Sequence, residues 1–463
     1  MKITRSNLKG VGLLLLSLAA VGEGRNFAAD IASQNFLAMA DGPSASAAGS
    51  ATASPFKDES ASTPAKSVTG ETTTATALPP TDMAPAYDCF LGAPGKVWFR
   101  GEYVHWWTSG ANMPSMVQTL TNNGTTAQTL FGDQTVYDGN HDGYRMNFGM
   151  WLDCQHCWGV EADYMDLSGK PTGYVNNFTD GYVNGNAYSV LRVLFNPNEG
   201  GQVIDYIGDA GNKVVGNISI DTSNYFQSAG LTFRHELRAM EWSTCNRDVN
   251  WTDSSARTFR LDALAGYRFA RLIDTVDETD NSFDYNPSSA SYEYYYNTVN
   301  NYKTVNNFNG AELGLNAVYT FGRWSLDVVG KAAIGVNNQY ASVYNQVTVD
   351  VSNAIGPTPP LVGNPNPLQE FSRNQFSAIP ELMVTGGYQV TDHFKVTVGY
   401  DLLYWSAVVR APNQIAVDPA SGAAYGTATG NFSGNLPQLL SSAVFNETHY
   451  FAEGLRLGAE LRF

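Results

Sequence analysis

Three things are missing from this 463-residue chain. Past the N-terminal region there is no run of about eighteen or more apolar residues, which excludes a helical membrane protein. Positive charge is scarce: 27 Lys and Arg stand against 43 Asp and Glu, a net charge of −16. No basic patch is available to meet phosphates, so nucleic-acid binding is excluded. No nucleophile motif, phosphate loop or paired-carboxylate spacing stands out, so neither an enzyme nor a cofactor is expected. What the chain does have is aromatic residues, at 12%, and 44 glycines. That composition suits short twisted strands with aromatic girdles.

The N-terminus reads as a secretory signal. Lys2, Arg5 and Lys9 form a basic region, and 11–21 is an apolar stretch too short to span a bilayer. Cleavage is expected near Ala28-Ala29, giving a signal of 1–29, or after Ala38-Met39-Ala40, giving one of up to 40 residues. Residues 41–86 are rich in Ser, Ala, Thr and Pro and read as a disordered periplasmic linker. The rest, 95–463, reads as one unit.

That unit alternates with a period of two, the mark of a strand whose faces meet different media. The last segment sets Leu455, Leu457, Ala459, Leu461 and Phe463 against Arg456, Glu460 and Arg462. Nine earlier segments do the same. Their polar faces carry Arg100 and Glu102 (97–107), Arg145 (143–152), Glu161 and Asp163 (158–167), and Arg234, Glu236 and Arg238 (225–239). They continue with Arg260, Asp262 and Arg268 (257–270), Glu312 (308–320), and Asp327 and Lys331 (323–335). Glu381 (376–390, with a bulge expected at Pro380) and Lys395 and Asp401 (393–405) complete the set. A Lys or Arg facing lipid at mid-membrane costs roughly 2–4 kcal/mol, so a membrane barrel must segregate charge this way. The twenty charges are therefore expected to face the lumen.

The connections between segments alternate long and short. Long loops are expected at 108–142, 168–224, 271–307, 336–375 and 406–449, with short turns such as 153–157, 321–322 and 391–392. Outer-membrane barrels have this rhythm, with turns in the periplasm and loops outside. An up-and-down antiparallel all-β barrel of ten strands follows, or of twelve if 183–195 or 341–351 also enters the membrane. Both termini fall in the periplasm. Trp106, Trp107, Tyr404 and Trp405 near outer strand ends, and Trp158 and Trp324 near periplasmic ends, are expected to form the aromatic girdles.

Several segments resemble the planctomycete-type outer-membrane beta-barrel porin family, type seven of the beta-barrel porins. They are Val97-Trp98-Phe99-Arg100-Gly101-Glu102-Tyr103-Val104-His105-Trp106-Trp107, the stretch 261–269, Gly322-Arg323-Trp324-Ser325-Leu326-Asp327, and 387–405. The resemblance covers about 95–463 outside loop interiors. It implies an outer-membrane barrel with a porin-like role and no catalytic residues or cofactor. The terminal Phe463 is similar to the assembly signal of bacterial outer-membrane barrels. The expected partners are outer-membrane lipid, the barrel-assembly machinery during biogenesis, and small solutes.

Four cysteines, Cys89, Cys154, Cys157 and Cys245, fall at the periplasmic end, where two disulfides are expected, with three pairings open. Cys154-Gln155-His156-Cys157 lacks the second ligand pair a metal site needs. Asp138, His141, Asp142 and His449 gather at the outer rim, where an Asp–His pair could activate water. Solvated loop polarity is the far better explanation of them. Three functions remain: a narrow charge-lined passive channel, a non-conducting structural or adhesion barrel, and a rim enzyme. Ten strands leave little more room than eight, whose interior side chains fill.

Overall fold

A computed structural model describes residues 96–463 except 122–125, 154, 170, 179–181, 184–185, 188, 197–200, 210–213, 242–256, 287–290, 352–360, 363–367 and 416–444. The signal (1–29, or up to 40), the linker (41–86) and Cys89, Cys154 and Cys245 lie outside the described residues.

Ten antiparallel strands close into a ring. They are β1 (Val97–Thr108), β2 (Asn140–Trp151), β3 (Trp158–Gly169), β4 (Val214–Glu241) and β5 (Arg257–Asn286). The circuit continues with β6 (Ser291–Phe321), β7 (Trp324–Val351), β8 (Leu368–Thr391), β9 (Phe394–Val409) and β10 (Glu447–Arg462). Each strand pairs with the next, and β10 returns to β1 with Glu460 opposite Arg100. All ten expected segments are strands of this ring, and the count is ten. Ser189–Asn196 pairs outside it, with Val117–Thr121 and Gly201–Asp209, while 341–351 simply prolongs β7.

Local chemistry sets the tight ends. Gly322, at φ +55°, allows β6 to reverse into β7 through two residues. Between β2 and β3, Asp153 accepts from the backbone N–H groups of Cys157 (3.1 Å) and Trp158 (2.8 Å). No bulge occurs at Pro380, contrary to expectation. It pairs in register with Ala332, and the β8–β9 ladder begins only at the next residue.

The other end departs most from expectation. Much of 271–307 and 336–375 and the end of 168–224 is strand rather than loop. β4–β8 are 24 to 31 residues long, whereas β9, β10 and β1–β3 have 12 or 16. The stretch 270–286 alone rises roughly 40 Å at ~3.3 Å per residue and a ~40° tilt. The described parts of the Tyr-rich stretch, 281–286 and 291–309, stand in this wall, and Tyr295 donates to Asn281 on the neighbouring strand (2.7 Å). The cause is a change of medium. Near the turns the outward face is apolar, with Leu313 64% and Phe376 68% exposed. Higher up it carries Asn301, Lys303 and Asn338, so the apolar–polar contrast disappears while the pairing continues.

Candidate functional site: the lumen

The inner face of the ring is filled in three layers. Nearest the short turns lies a lattice of charge. Arg100 pairs with Glu460 (2.5 Å), Lys395 with Asp327 (3.3 Å), and Arg462 with Glu460 (2.6 Å). Opposite them, Arg234 bridges Asp262 (2.6 Å) and Glu161 (3.2 Å), and Arg260 bridges Asp262 (2.7 Å) and Glu236 (3.4 Å). One step inward, Glu381 is shared by Arg268 (2.5 Å), Arg145 (3.1 Å) and Lys331 (4.0 Å). Arg145 also holds Asp163 (2.7 Å), and Glu312 binds Arg268 (3.3 Å) and Lys331 (3.2 Å). Arg456 joins Glu102 (2.6 Å) to Asp401 (2.7 Å). Nineteen of the twenty charges are accounted for in these pairs.

Closeness of the staves makes the lattice possible. A Cβ on Gly458 would meet the Glu102 side chain and the Gly101 carbonyl at 2.5 Å, so only glycine lets that carboxylate cross to Arg456. Desolvating so many charges is expensive, and only multiple short contacts offset the cost. A cavity of about 80 Å³ remains among Arg100, Glu102, Arg145, Asp163, Asp327 and Arg456. It has room for several waters.

Arg238 is the exception. A bulge between Glu236 and Arg238 slips the register by one, so Arg238 stands opposite Leu261 and is exposed. One inserted residue moves every later side chain to the other face. The expectation that Arg238 faces the lumen is corrected accordingly.

Above the charges lies an aromatic layer. Trp106, Phe226, Phe308, Trp405 and Tyr450 are buried with Leu403, Ile379 and Met165. Phe226 stacks on Tyr450 with ring centres 5.6 Å apart, and its ring centre lies 6.1 Å from that of Trp106. Trp106 and Trp405 have 0% exposure, so they are not girdle residues. Both share the parity of the charged face (Arg100 and Glu102; Lys395 and Asp401), and adjacent residues of a strand cannot both face lipid. Trp107, Tyr404, Trp158 and Trp324 do face outward. So does Phe463, which donates its N–H to the Val97 carbonyl (2.8 Å).

The third layer is chain rather than side chain. Val117–Thr121, Thr126–Phe131, Ser189–Asn196 and Gly201–Asp209 form a sheet within the tall wall. Val117, Phe131, Val190 and Ile207 pack there with Ile218, Val276, Tyr302 and Val343 of β4–β7. The short 3-10 turn Ala411–Gln414 joins them through Ala411. No signal of period or composition in 108–142 separates a plug from an exposed loop.

The rim residues do not converge. His141 is buried inside and bonds Asn224 (2.7 Å), while its neighbour Asp142 faces outward and meets His105 (2.6 Å). His449 stacks on outward-facing Tyr404, and Asp138 is solvent-exposed. At the turn, Cys157 is a free thiol among the described residues, so the two expected disulfides are not seen there. Burial, with the Arg260 guanidinium beside it, holds the His156 imidazole below its ordinary range.

The family model described as Putative beta barrel porin-7 matches residues 98–463. The chain belongs to that family. Membership and the closed ring together make this an outer-membrane porin-7 barrel. No curated protein matches the chain. Among solved structures, the outer membrane protease OmpT from Escherichia coli is 11% identical, with 80% of this chain and 98% of that chain covered and a TM-score of 0.34. The P. putida toluene transporter TodX is 10% identical, covering 80% and 90%, with a TM-score of 0.18. At such TM-scores neither likeness carries any argument about what this porin-7 barrel does.

Proposed function

We propose that this barrel is a passive outer-membrane channel for small solutes with a narrow, charge-lined lumen. The observation that carries it is the inner face itself. Nineteen paired charges and a small cavity with room for several waters line a ring whose outside is apolar near the turns. A purely structural barrel has no need to bury so much charge where apolar packing would serve as well or better. We read the described layers of buried side chains and inserted chain as closing this lumen. The start of β1 and the end of β10 lie at the short-turn end, which we assign to the periplasm. Outward-facing Trp107, Tyr404, Trp158 and Trp324 contact lipid headgroups, and Phe463 is the residue read by the assembly machinery. No catalytic role is assigned, because His141 and Asp142 face opposite sides of the wall.

A second reading is a non-conducting structural barrel. It is favoured by the full burial of Trp106 and Trp405 across the lumen. Planar-bilayer recording of the full chain separates the two. Discrete current steps that shrink when Arg145 or Glu381 is replaced support the channel. Absence of any step under all voltages and salts rejects it in favour of the structural barrel.

A further inference from the structure

The β9–β10 hairpin behaves differently along its length. Up to the Glu381–Leu403 pair, β9 is laddered to β8. Above that level it leaves β8 but stays with β10, through Val408–Thr448 and Val409–Glu447, after a register break between Trp405 and Val408. Ala407, at the break, has φ +51°. A residue with a Cβ takes up that left-handed conformation only under strain. Beyond it, Val408, Val409 and Arg410 are fully buried. The top of the hairpin therefore leans into the barrel instead of standing in its wall.

The wall grips this arm with side chains and not with a strand ladder. Asn306 donates to the Val409 carbonyl (2.8 Å) and accepts from the Val409 N–H (2.9 Å). Asn337 and Gln339 each donate to the Ala407 carbonyl at 2.8 Å, and Ser377 donates to that of Ser406 at 2.5 Å. Just past the joint, Arg410 pairs with Asp274 of β5, both with no exposure, and donates to the Ser109 carbonyl (3.2 Å). Asn224 donates to the same carboxylate. Arg373 of β8 pairs with Glu447 on the returning strand. The arm has a strained joint at Ala407 and an ion-pair latch at Arg410, with releasable contacts between.

We propose that the top of the β9–β10 hairpin, residues 406–415 with 445–449, is a hinged arm that shuts the lumen from within, latched by Arg410 on Asp274. The proposal rests on the channel reading, since an arm can close only a barrel that otherwise conducts. Swinging outward, it uncovers Ser377 and Trp405, which now bond each other beneath it (3.0 Å).

The test uses the full chain carrying Ser377→Cys, with the chain lacking that substitution labelled in parallel to correct for native cysteines. A water-soluble maleimide reports uncovering of position 377, and bilayer recording reports current. The latch is removed as Arg410→Ala with Asp274→Ala, so that no charge is left buried alone. Barrels that still run as folded on unheated gels are compared. Labelling about tenfold faster, together with larger or more frequent current steps, is the expected result for a locally opening element. Unchanged labelling in the folded double variant overturns the arm and leaves the channel reading standing. Faster labelling with no current in any variant overturns the channel reading, and the closing role with it. Ala407→Gly supplies the opposite arm, because glycine adopts the joint's conformation without strain. It should slow labelling by several-fold, and faster labelling there would also overturn the hinge.

Discussion

Among the described residues, the interiors of the lower and upper halves of this barrel are occupied by different means. In the lower half the staves fill the space themselves, with each charge fixed on one strand and answered from another. Glu381 of β8 meets Arg145 of β2, Arg268 of β5 and Lys331 of β7. In the upper half the filling is separate chain: a four-stranded sheet, a 3-10 turn and the bent hairpin top. The first kind cannot leave without unmaking the wall. The second can, because most of its contacts with β4–β8 are side-chain contacts. Occlusion by wall charges and occlusion by inserted chain therefore differ in what it takes to relieve them.

The largest expected effect tests the lower half. Glu381→Ala strips three cations of a shared carboxylate and should cost about 3–5 kcal/mol, the usual penalty for orphaning buried charge. Denaturant unfolding in detergent or lipid measures it. A loss below 1 kcal/mol would mean that water already screens the lattice. Next comes the upper half. Val190→Ala in the plug should cost about 2 kcal/mol of apolar burial, seen as faster hydrogen exchange over 117–131 and 189–209. The unfolding midpoint of the ring should stay where it is. If that midpoint falls in step, plug and wall are one cooperative unit and the contrast between halves collapses.

A smaller effect probes the turn beneath the lattice. Arg260 reaches from Asp262 to the His156 carbonyl (2.7 Å), tying the turn to the charges. Burial and that guanidinium lower the His156 pKa in the folded state. The unfolded chain then binds the proton more readily, so stability is complete above about pH 6.5 and falls as pH drops toward the folded value. Unfolding midpoints at pH 7 and pH 5 should differ less in His156→Asn than in the parent. Asparagine suits the φ of +57° at this position while removing the titration. An equal difference in both would show that the turn does not sense the lattice. The smallest effect is expected on the outer face of the tall wall. Asn338→Ala loses an exposed bond to Asn374 (2.9 Å) and should change stability by no more than about 0.5 kcal/mol.

The two halves were also unequally legible. Near the turns, lipid outside and charge inside force strict alternation, and segments such as 257–270 and 455–463 announce themselves. The parity of Trp106 with Glu102, and of Trp405 with Asp401, already excludes both from the lipid face, so that signal was present in the residues. The reversal at Arg238 was not, because a bulge is a property of pairing with β5 and leaves no mark on the run Leu231 to Leu237. Above the membrane the outer face is polar and the inner face mixes Asp274, Glu278 and Asn300 with Val276 and Tyr302, so 271–307 loses its contrast and reads as loop, although 271–286 and 291–307 are strand.

By itself, then, the sequence determined the ring, its inside and its outside, since a barrel in lipid must sort its residues with period two. Only the tertiary structure decided the height of the wall, the plug within it and the inward lean of the β9–β10 hairpin. Those depend on contacts such as Arg410 with Asp274, 136 residues apart. No local period or propensity encodes such a contact, and it becomes favourable only once the ring has brought its members together.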